Sequence, residues 1–277
     1  MLTDYHLHLR PDELSATADE YFTPANAERY RTMAGERGIA ELGVSEHVHR
    51  FRQALAVWHH PFWRENAVDD LDAYCGFVTE QTDLRLGLEA DFIVGREDRM
   101  ASLIDAYPWD YVVGSVHFLS ELAVDHPGWD VWERKASPET VWRRYFETLG
   151  EAARSGMFDI LAHPDLVKVW GPQRPRPAGD LRRFYERAMD GIAGSQIAIE
   201  LSTAGLRKPA RELYPAPDFL RMCLEAGCPV ALSSDAHTPA EVGDRYDQAL
   251  GLLDELGVQE LSVFEGRRRR LEPIGAT

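Results

Sequence analysis

Short apolar runs recur along this chain, and nearly every one is followed by a longer amphipathic stretch. The runs at 2–7, 39–45, 84–90, 110–116, 157–163, 196–202 and 229–234 are rich in Val, Ile and Leu and do not alternate strictly with polar residues. That pattern predicts parallel strands covered on both faces. A late run at 261–264 is a candidate eighth strand. Helical periodicity falls at about 24–37, 69–82, 97–106, 138–155, 179–194, 216–227 and 239–256. The clearest helix start is Ser137 as N-cap, Pro138 at the first helical position and Glu139 in the first turn. Strands alternating with helices predict a parallel α/β sheet. Seven or eight such units point to a closed barrel with its site at the strands' C-terminal ends. An open doubly wound sheet is the rival, but it gathers ligands at one switch point rather than from many strand ends. Segments 49–68 and 118–137 interrupt the pattern with Trp, His, Pro and charge, and are expected as loops over the barrel mouth.

Composition narrows the picture. The 277 residues suffice for one barrel-sized domain, taken as 1–277, and 44% of them are hydrophobic. No apolar run is long enough to span a bilayer, and no secretory leader pattern opens the chain, so the cytoplasm is the expected compartment and no membrane partner is expected. The three cysteines, Cys75, Cys223 and Cys228, have no framework spacing and are expected as packing residues. A net charge of -16 repels nucleic acid and argues against it as a partner. The one basic block, Arg267 to Arg270, is expected as a solvated tail.

The chemistry lies where the apolar runs end. Six stretches close on metal-ligand residue types: Asp4 to His8, Ser45 to His47, Gly87 to Asp91, Ser115 to His117, Ala162 to Asp165 and Ser234 to His237. In an extended chain, residues i and i+2 point the same way, so His6 and His8 can converge on one ion, as can Asp235 and His237. Glu89 ends a strand expected to be buried; a carboxylate there is costly unless paired or metal-bound, and it can bridge two ions. His117 and His163 are neutral nitrogen donors suited to Zn, Mn or Fe. His47 is read as a ligand of a third ion. Glu46, Asp4, Asp91 and Asp165 are candidates for orienting ligands from behind. His49, His59, His60 and His126 lack the strand-end setting and are expected at the surface or the pocket mouth. No Gly-x-Ser-x-Gly elbow supports a serine nucleophile, and no cysteine takes that part. Together these residues suggest a hydrolase with two or three divalent ions.

At these residues the chain resembles the polymerase-and-histidinol-phosphatase (PHP) superfamily, and within it the monofunctional histidinol-phosphatases. The likeness runs in order through Asp4–His8, Ser45–His47, Gly87–Phe92, Asp110–Phe118, Ala153–Pro164, Ser202–Lys208, Tyr214–Pro217 and Ser234–His237. It implies a distorted (β/α)7 TIM-like barrel and a trinuclear centre. Carried over, His6, His8, Glu89 and Asp235 would hold one ion. Glu89, His117 and His163 would hold a second, and His47 and His237 a third. Thr203 to Lys208 resembles the family's phosphate loop, with Arg207 and Lys208 as phosphate contacts, Arg207 foremost, and His117 also at the phosphate. Many relatives carry another histidine soon after the opening pair. Here Leu9 to Ser15 holds none, and Asp12 is favoured over Glu13 as an oxygen ligand in its place.

The resemblance implies a metal-dependent phosphomonoesterase acting on L-histidinol phosphate in histidine biosynthesis, with Glu89, Asp235 and Arg207 carrying the catalysis. Metals would acidify an attacking water, and Arg207 would share the developing charge. The alternative keeps the site and changes the substrate to a nucleotide or another small phosphate ester. A third reading, a metal-stabilised barrel without catalysis, is disfavoured by the full set of ligands.

Overall fold

The computed structural model describes residues 1–134 and 136–275. Seven parallel strands form one sheet: β1 (Leu2–Asp4), β2 (Ile39–His47), β3 (Arg85–Asp91), β4 (Tyr111–Ser115), β7 (Ile160–Leu161), β8 (Ala198–Ser202) and β9 (Val230–Ser233). They pair in that order, each with the next. Beyond β1 and β9, Leu7 bridges Ala236 and the His8 amide donates to the Ala236 carbonyl at 2.8 Å, so the ring nearly closes. This is an α/β barrel, as expected from seven βα units.

Helices α1 (Ala18–Tyr21), α2 (Pro24–Glu36), α3 (Pro61–Asn66), α4 (Leu71–Gln81), α5 (Glu97–Asp105), α6 (Pro138–Arg154), α7 (Arg182–Ile192), α8 (Pro217–Glu225) and α9 (Tyr246–Glu255) connect the strands. Ser137 caps α6 by accepting the Thr140 amide at 3.2 Å, with Pro138 inside the first turn. Asp70 and Thr23 cap α4 and α2 in the same way. Among the described residues, no helix is long and apolar enough to cross a membrane. Cys75, Cys223 and Cys228 are free and buried.

The interior of the barrel explains two glycines. The Tyr111 ring lies against β2 and β3, and a Cβ on Gly87 would sit 2.3 Å from it, one on Gly43 2.4 Å from its hydroxyl. Tyr111 and Tyr5 pack edge to face at 5.0 Å, and Phe264 joins Tyr5 at 5.5 Å. Phe264 comes from the run expected as an eighth strand. It does not enter the barrel sheet: β10 (Glu260–Glu265) pairs antiparallel with β11 (Arg268–Pro273), and this hairpin places Val263 and Phe264 in the barrel's inner core.

The arginine block also departs from expectation. Its residues are not a loose tail: Arg268 to Arg270 belong to β11, Arg267 donates to the Met157 carbonyl at 2.7 Å and pairs with Asp159, and Arg269 donates to the Gln196 carbonyl. The hairpin ladder and these contacts tie the block to the ends of the chain that lead into β7 and β8. Segment 49–68 contains α3 as well as loop. Segment 118–137 contains a two-strand ribbon, β5 (Phe118–Leu119) with β6 (Leu122–Ala123), and its residue 135 lies outside the described ones.

Candidate metal centre

The parallel register brings the strand ends to one level. His47 pairs with Glu89 across β2 and β3, and Asp91 with Ser115 across β3 and β4. Glu89 is the hub. Its Oε1 lies 3.1 Å from His163 Nε2 and 3.4 Å from His117 Nε2. Its Oε2 lies 3.4 Å from His6 Nε2 and 3.6 Å from His8 Nε2, and it contacts His47 Nδ1. Asp235 Oδ1 faces the same pair, 3.7 Å from His6 and 3.4 Å from His8. The His8 ring stacks 4.1 Å from that of His47 and stands 4.4 Å from that of His237. Asp12 reaches in from the loop after β1, 3.3 Å from His237 Nε2 and 3.7 Å from His47 Nε2.

These donors fit metal ions. His6 Nε2, both nitrogens of His8, Glu89 Oε2, Asp235 Oδ1 and His237 Nε2 are buried without a hydrogen-bond partner among the described residues. Buried polar atoms are nearly always satisfied, so several orphans facing one another call for a cation between them. Three groups, His6–His8–Asp235, His6–Glu89–His163 and His8–His47–His237, each have donor atoms within 4.8 Å of one another. A mixed imidazole and carboxylate set suits Zn, Mn or Fe.

The electrostatics divide the donors: against burial, neighbouring carboxylates favour a proton on His117 and His237, while His8 is held neutral. Burial alone would raise the Glu89 and Asp235 carboxyls, but the surrounding imidazoles, His47 and then His6 at Glu89 and His6 at Asp235, hold both well below the usual carboxylate range. Burial and then His47 and His237 hold His8 well below the ordinary imidazole value, leaving it neutral and ready to ligate. Burial also favours a neutral His6, but the carboxylates of Glu200, Glu89 and Asp235 outweigh it and favour a proton there, with which a metal must compete.

Behind the donors stand the groups that aim them. Asp91 Oδ1 lies 2.7 Å from His117 Nδ1. Glu200, which the sequence reading missed, lies 2.7 Å from His6 Nδ1 and accepts from the His163 amide and the Ser233 hydroxyl. Its signal was available: one carboxylate inside the otherwise apolar run Ala198-Ile199-Glu200-Leu201. Such a partner fixes the histidine proton on Nδ1 and frees Nε2 for metal. Asp235 and His163 both hold left-handed backbone, φ 51° and 26°, at the turns that present them.

Several expected roles change. Asp4 bonds no imidazole among the described residues; it accepts the Ser234 amide at 3.0 Å and the Gly243 amide at 3.3 Å, and so braces the Asp235 turn. Burial pushes its carboxyl up to about 6, only partly offset by those bonds. Glu46 accepts the Leu9 amide at 2.7 Å and pairs with buried Arg50; its nearest approach to His8 is 3.9 Å, too long for a hydrogen bond. Asp165 pairs with Lys168 at 2.7 Å and accepts the Ala216 amide at 2.8 Å, so it holds the 213–217 turn rather than His163. Arg207, expected as a phosphate contact, lies beside the Asp235 turn. Its guanidinium donates to the Ser234 and Asp235 carbonyls at 2.6 and 3.1 Å and faces Glu241 at 3.5 Å. Carbonyls and acidic neighbours hold it behind the Asp235 turn, with its Nη1 buried and without a hydrogen-bond partner among the described residues, whereas Lys208 lines the cavity.

That cavity, about 330 Å³, opens over the donors. Asp12, His47, His117, His163, Asp235 and His237 form its polar floor, with Lys208 at one side and Phe62, Phe118 and Trp170 as apolar walls. His49 and His126 also line it, as expected of pocket-mouth histidines; His60 is buried instead and caps α3 through the Phe62 amide. The size suits a small ester.

A barrel with this donor set at its strand ends defines a metal-site hydrolase architecture. The model of the PHP domain matches residues 12–204, and the chain belongs to the PHP domain family. It is 34% identical over 251 residues to a probable histidinol-phosphatase of Deinococcus radiodurans, covering 88% of this chain and 91% of that one. It is 20% identical over 269 residues to a histidinol-phosphatase of Lactococcus lactis, covering 96% and 95%. The fold is similar to the crystal structure of histidinol phosphate phosphatase from Lactococcus lactis complexed with zinc, L-histidinol and phosphate, with a TM-score of 0.69, 19% identity and coverage of 97% and 98%.

Proposed function

We propose that this chain is a metal-dependent phosphomonoesterase. It hydrolyses L-histidinol phosphate to L-histidinol and phosphate in histidine biosynthesis, on a single domain spanning 1–277 and in the cytoplasm. The observation that carries the reading is the ring of buried, unpartnered donors around Glu89 at the floor of a small cavity. The names of its relatives supply the substrate.

In this reading, His6, His8, Glu89 and Asp235 hold one divalent ion, Glu89, His117 and His163 a second, and His47, His237 and Asp12 a third. Bound ions of this kind supply Lewis-acid charge to a phosphoryl group and acidify water. The chain's own residues do the rest. Asp91 and Glu200 hold the Nδ1 side of His117 and His6 and so turn each Nε2 toward the ions. Lys208 is the cavity's cation for the ester phosphate. Arg207 acts through the turn that presents Asp235 rather than on phosphate. The leaving alkoxide requires a proton. Burial, then His47 and Arg50, hold His49 neutral. His126 accepts the Gly128 amide on Nδ1 at 3.2 Å, which places its proton on Nε2 and makes it the available cavity donor.

The test compares the metal-loaded protein on L-histidinol phosphate, nucleoside monophosphates and bis-p-nitrophenyl phosphate. The proposal expects a large preference in kcat/KM for L-histidinol phosphate. Preference for a nucleotide would keep the site and replace the substrate. Turnover retained in a Glu89→Ala protein would remove the site itself.

A further inference from the structure

Three carboxylates line the cavity, and two are accounted for. Asp235 faces His6 and His8, and Asp12 lies against His237 and takes the Arg50 guanidinium at 2.6 Å. The third, Asp125, has no Lys or Arg within 4.0 Å among the described residues; the one basic side chain at that distance there is His117, 4.0 Å away. The backbone that carries it is pinned on both sides. The Val124 amide donates to the His117 carbonyl at 2.8 Å, and the Val124 carbonyl accepts the Trp170 indole N–H at 2.8 Å. Asp125 therefore stands beside His117 in a cavity whose lining also includes Trp170 and Phe118.

A carboxylate on a pinned backbone, with no described Lys or Arg within 4.0 Å and facing only an imidazole that the proposed ion would take, in a cavity it shares with aromatic side chains, is a receptor for an organic ammonium: the charge pairs with the carboxylate and the rings accept what remains of the cation. Resting on the reading above, we infer that Asp125 is the specificity residue that binds the substrate's primary ammonium. It selects amino-alcohol phosphates over esters that lack the amine. The ester phosphate points to the floor and Lys208, the ammonium to Asp125, and the ring lies against the wall.

The experiment compares L-histidinol phosphate with its des-amino counterpart, 3-(imidazol-4-yl)propyl phosphate, on metal-loaded wild type and Asp125→Asn. The ratio of kcat/KM between the two esters falls roughly 10- to 100-fold in the variant, the loss of one charge-assisted hydrogen bond, with most of the change in KM. Metal content stays at the wild-type value. Calorimetric binding of L-histidinol against 3-(imidazol-4-yl)propan-1-ol reads the same selectivity without turnover, and should fall by a similar factor. An unchanged ratio overturns the inference, whether or not both rates drop, since that marks a structural or metal-holding role. A wild type that treats the two esters alike overturns it as well. A wild type inactive on both esters overturns the phosphatase reading beneath it.

Discussion

Replacing Glu200 by Gln is the sharpest test of how the centre is held. Glu200 is fully buried and accepts three hydrogen bonds: Oε1 takes His6 Nδ1 and the Ser233 hydroxyl, and Oε2 takes the His163 amide. A glutamine has one acceptor oxygen. If it occupies the Oε1 position, its NH2 meets the His163 N–H donor to donor. If it is flipped, NH2 faces His6, whose proton must then move to Nε2, the atom aimed at Glu89 and Asp235. Either arrangement leaves a buried donor unpaired, at about 1–3 kcal/mol. The flipped one also blocks a ligand. Losses of this kind typically lower metal affinity roughly 10- to 100-fold, so about 1.4–2.7 kcal/mol of binding free energy. The assay is metal competition against a chelator of known affinity, with circular dichroism to confirm folding. Metal affinity within a factor of two of wild type in a folded Glu200→Gln protein would refute the claim that Glu200 sets the His6 tautomer.

Other consequences follow from the same geometry. Asp91→Ala removes the partner 2.7 Å from His117 Nδ1, and metal affinity should fall roughly 10- to 100-fold by the same competition assay. Arg50→Ala leaves Asp12 without its guanidinium partner, so elemental analysis should show one metal equivalent lost while the ions around Glu89 remain; Asp12→Ala should lose the same equivalent. Phe264→Ala empties the aromatic plug against Tyr5, and denaturant unfolding should show about 3–5 kcal/mol less stability; a change below about 1 kcal/mol would contradict the plug.

Much of the donor set was legible because each member follows an apolar run, where a parallel barrel delivers side chains to one rim. His6, His8, Glu89, His163 and Asp235 all meet there. Glu200 was not legible in that way, because it lies within a strand rather than at its end, and periodicity does not say which charged residue points inward. The surroundings of Arg207 were hidden for a different reason. Its identity suits phosphate, but its direction is set by the Ser234 and Asp235 carbonyls and by Glu241, which are remote in sequence. The eighth strand and the basic tail were misread together: the ladder between Glu260–Glu265 and Arg268–Pro273 is an antiparallel hairpin, and strand runs alone do not reveal their partners. In the run at 157–163 only Ile160 and Leu161 form the strand, the Ala162 amide still donating to the Gly114 carbonyl at 2.9 Å before His163 turns to bring its imidazole to Glu89.

The central claim, that donors gathered around Glu89 make this barrel a metal-dependent histidinol phosphatase, is tested most directly by phosphate release from L-histidinol phosphate. The protein is stripped with chelator and then resupplied with Zn or Mn. The account predicts no turnover when stripped and restored turnover of roughly 1–10³ per second on metal return. Turnover that persists through chelation, or none in a fully metal-loaded protein, would contradict it.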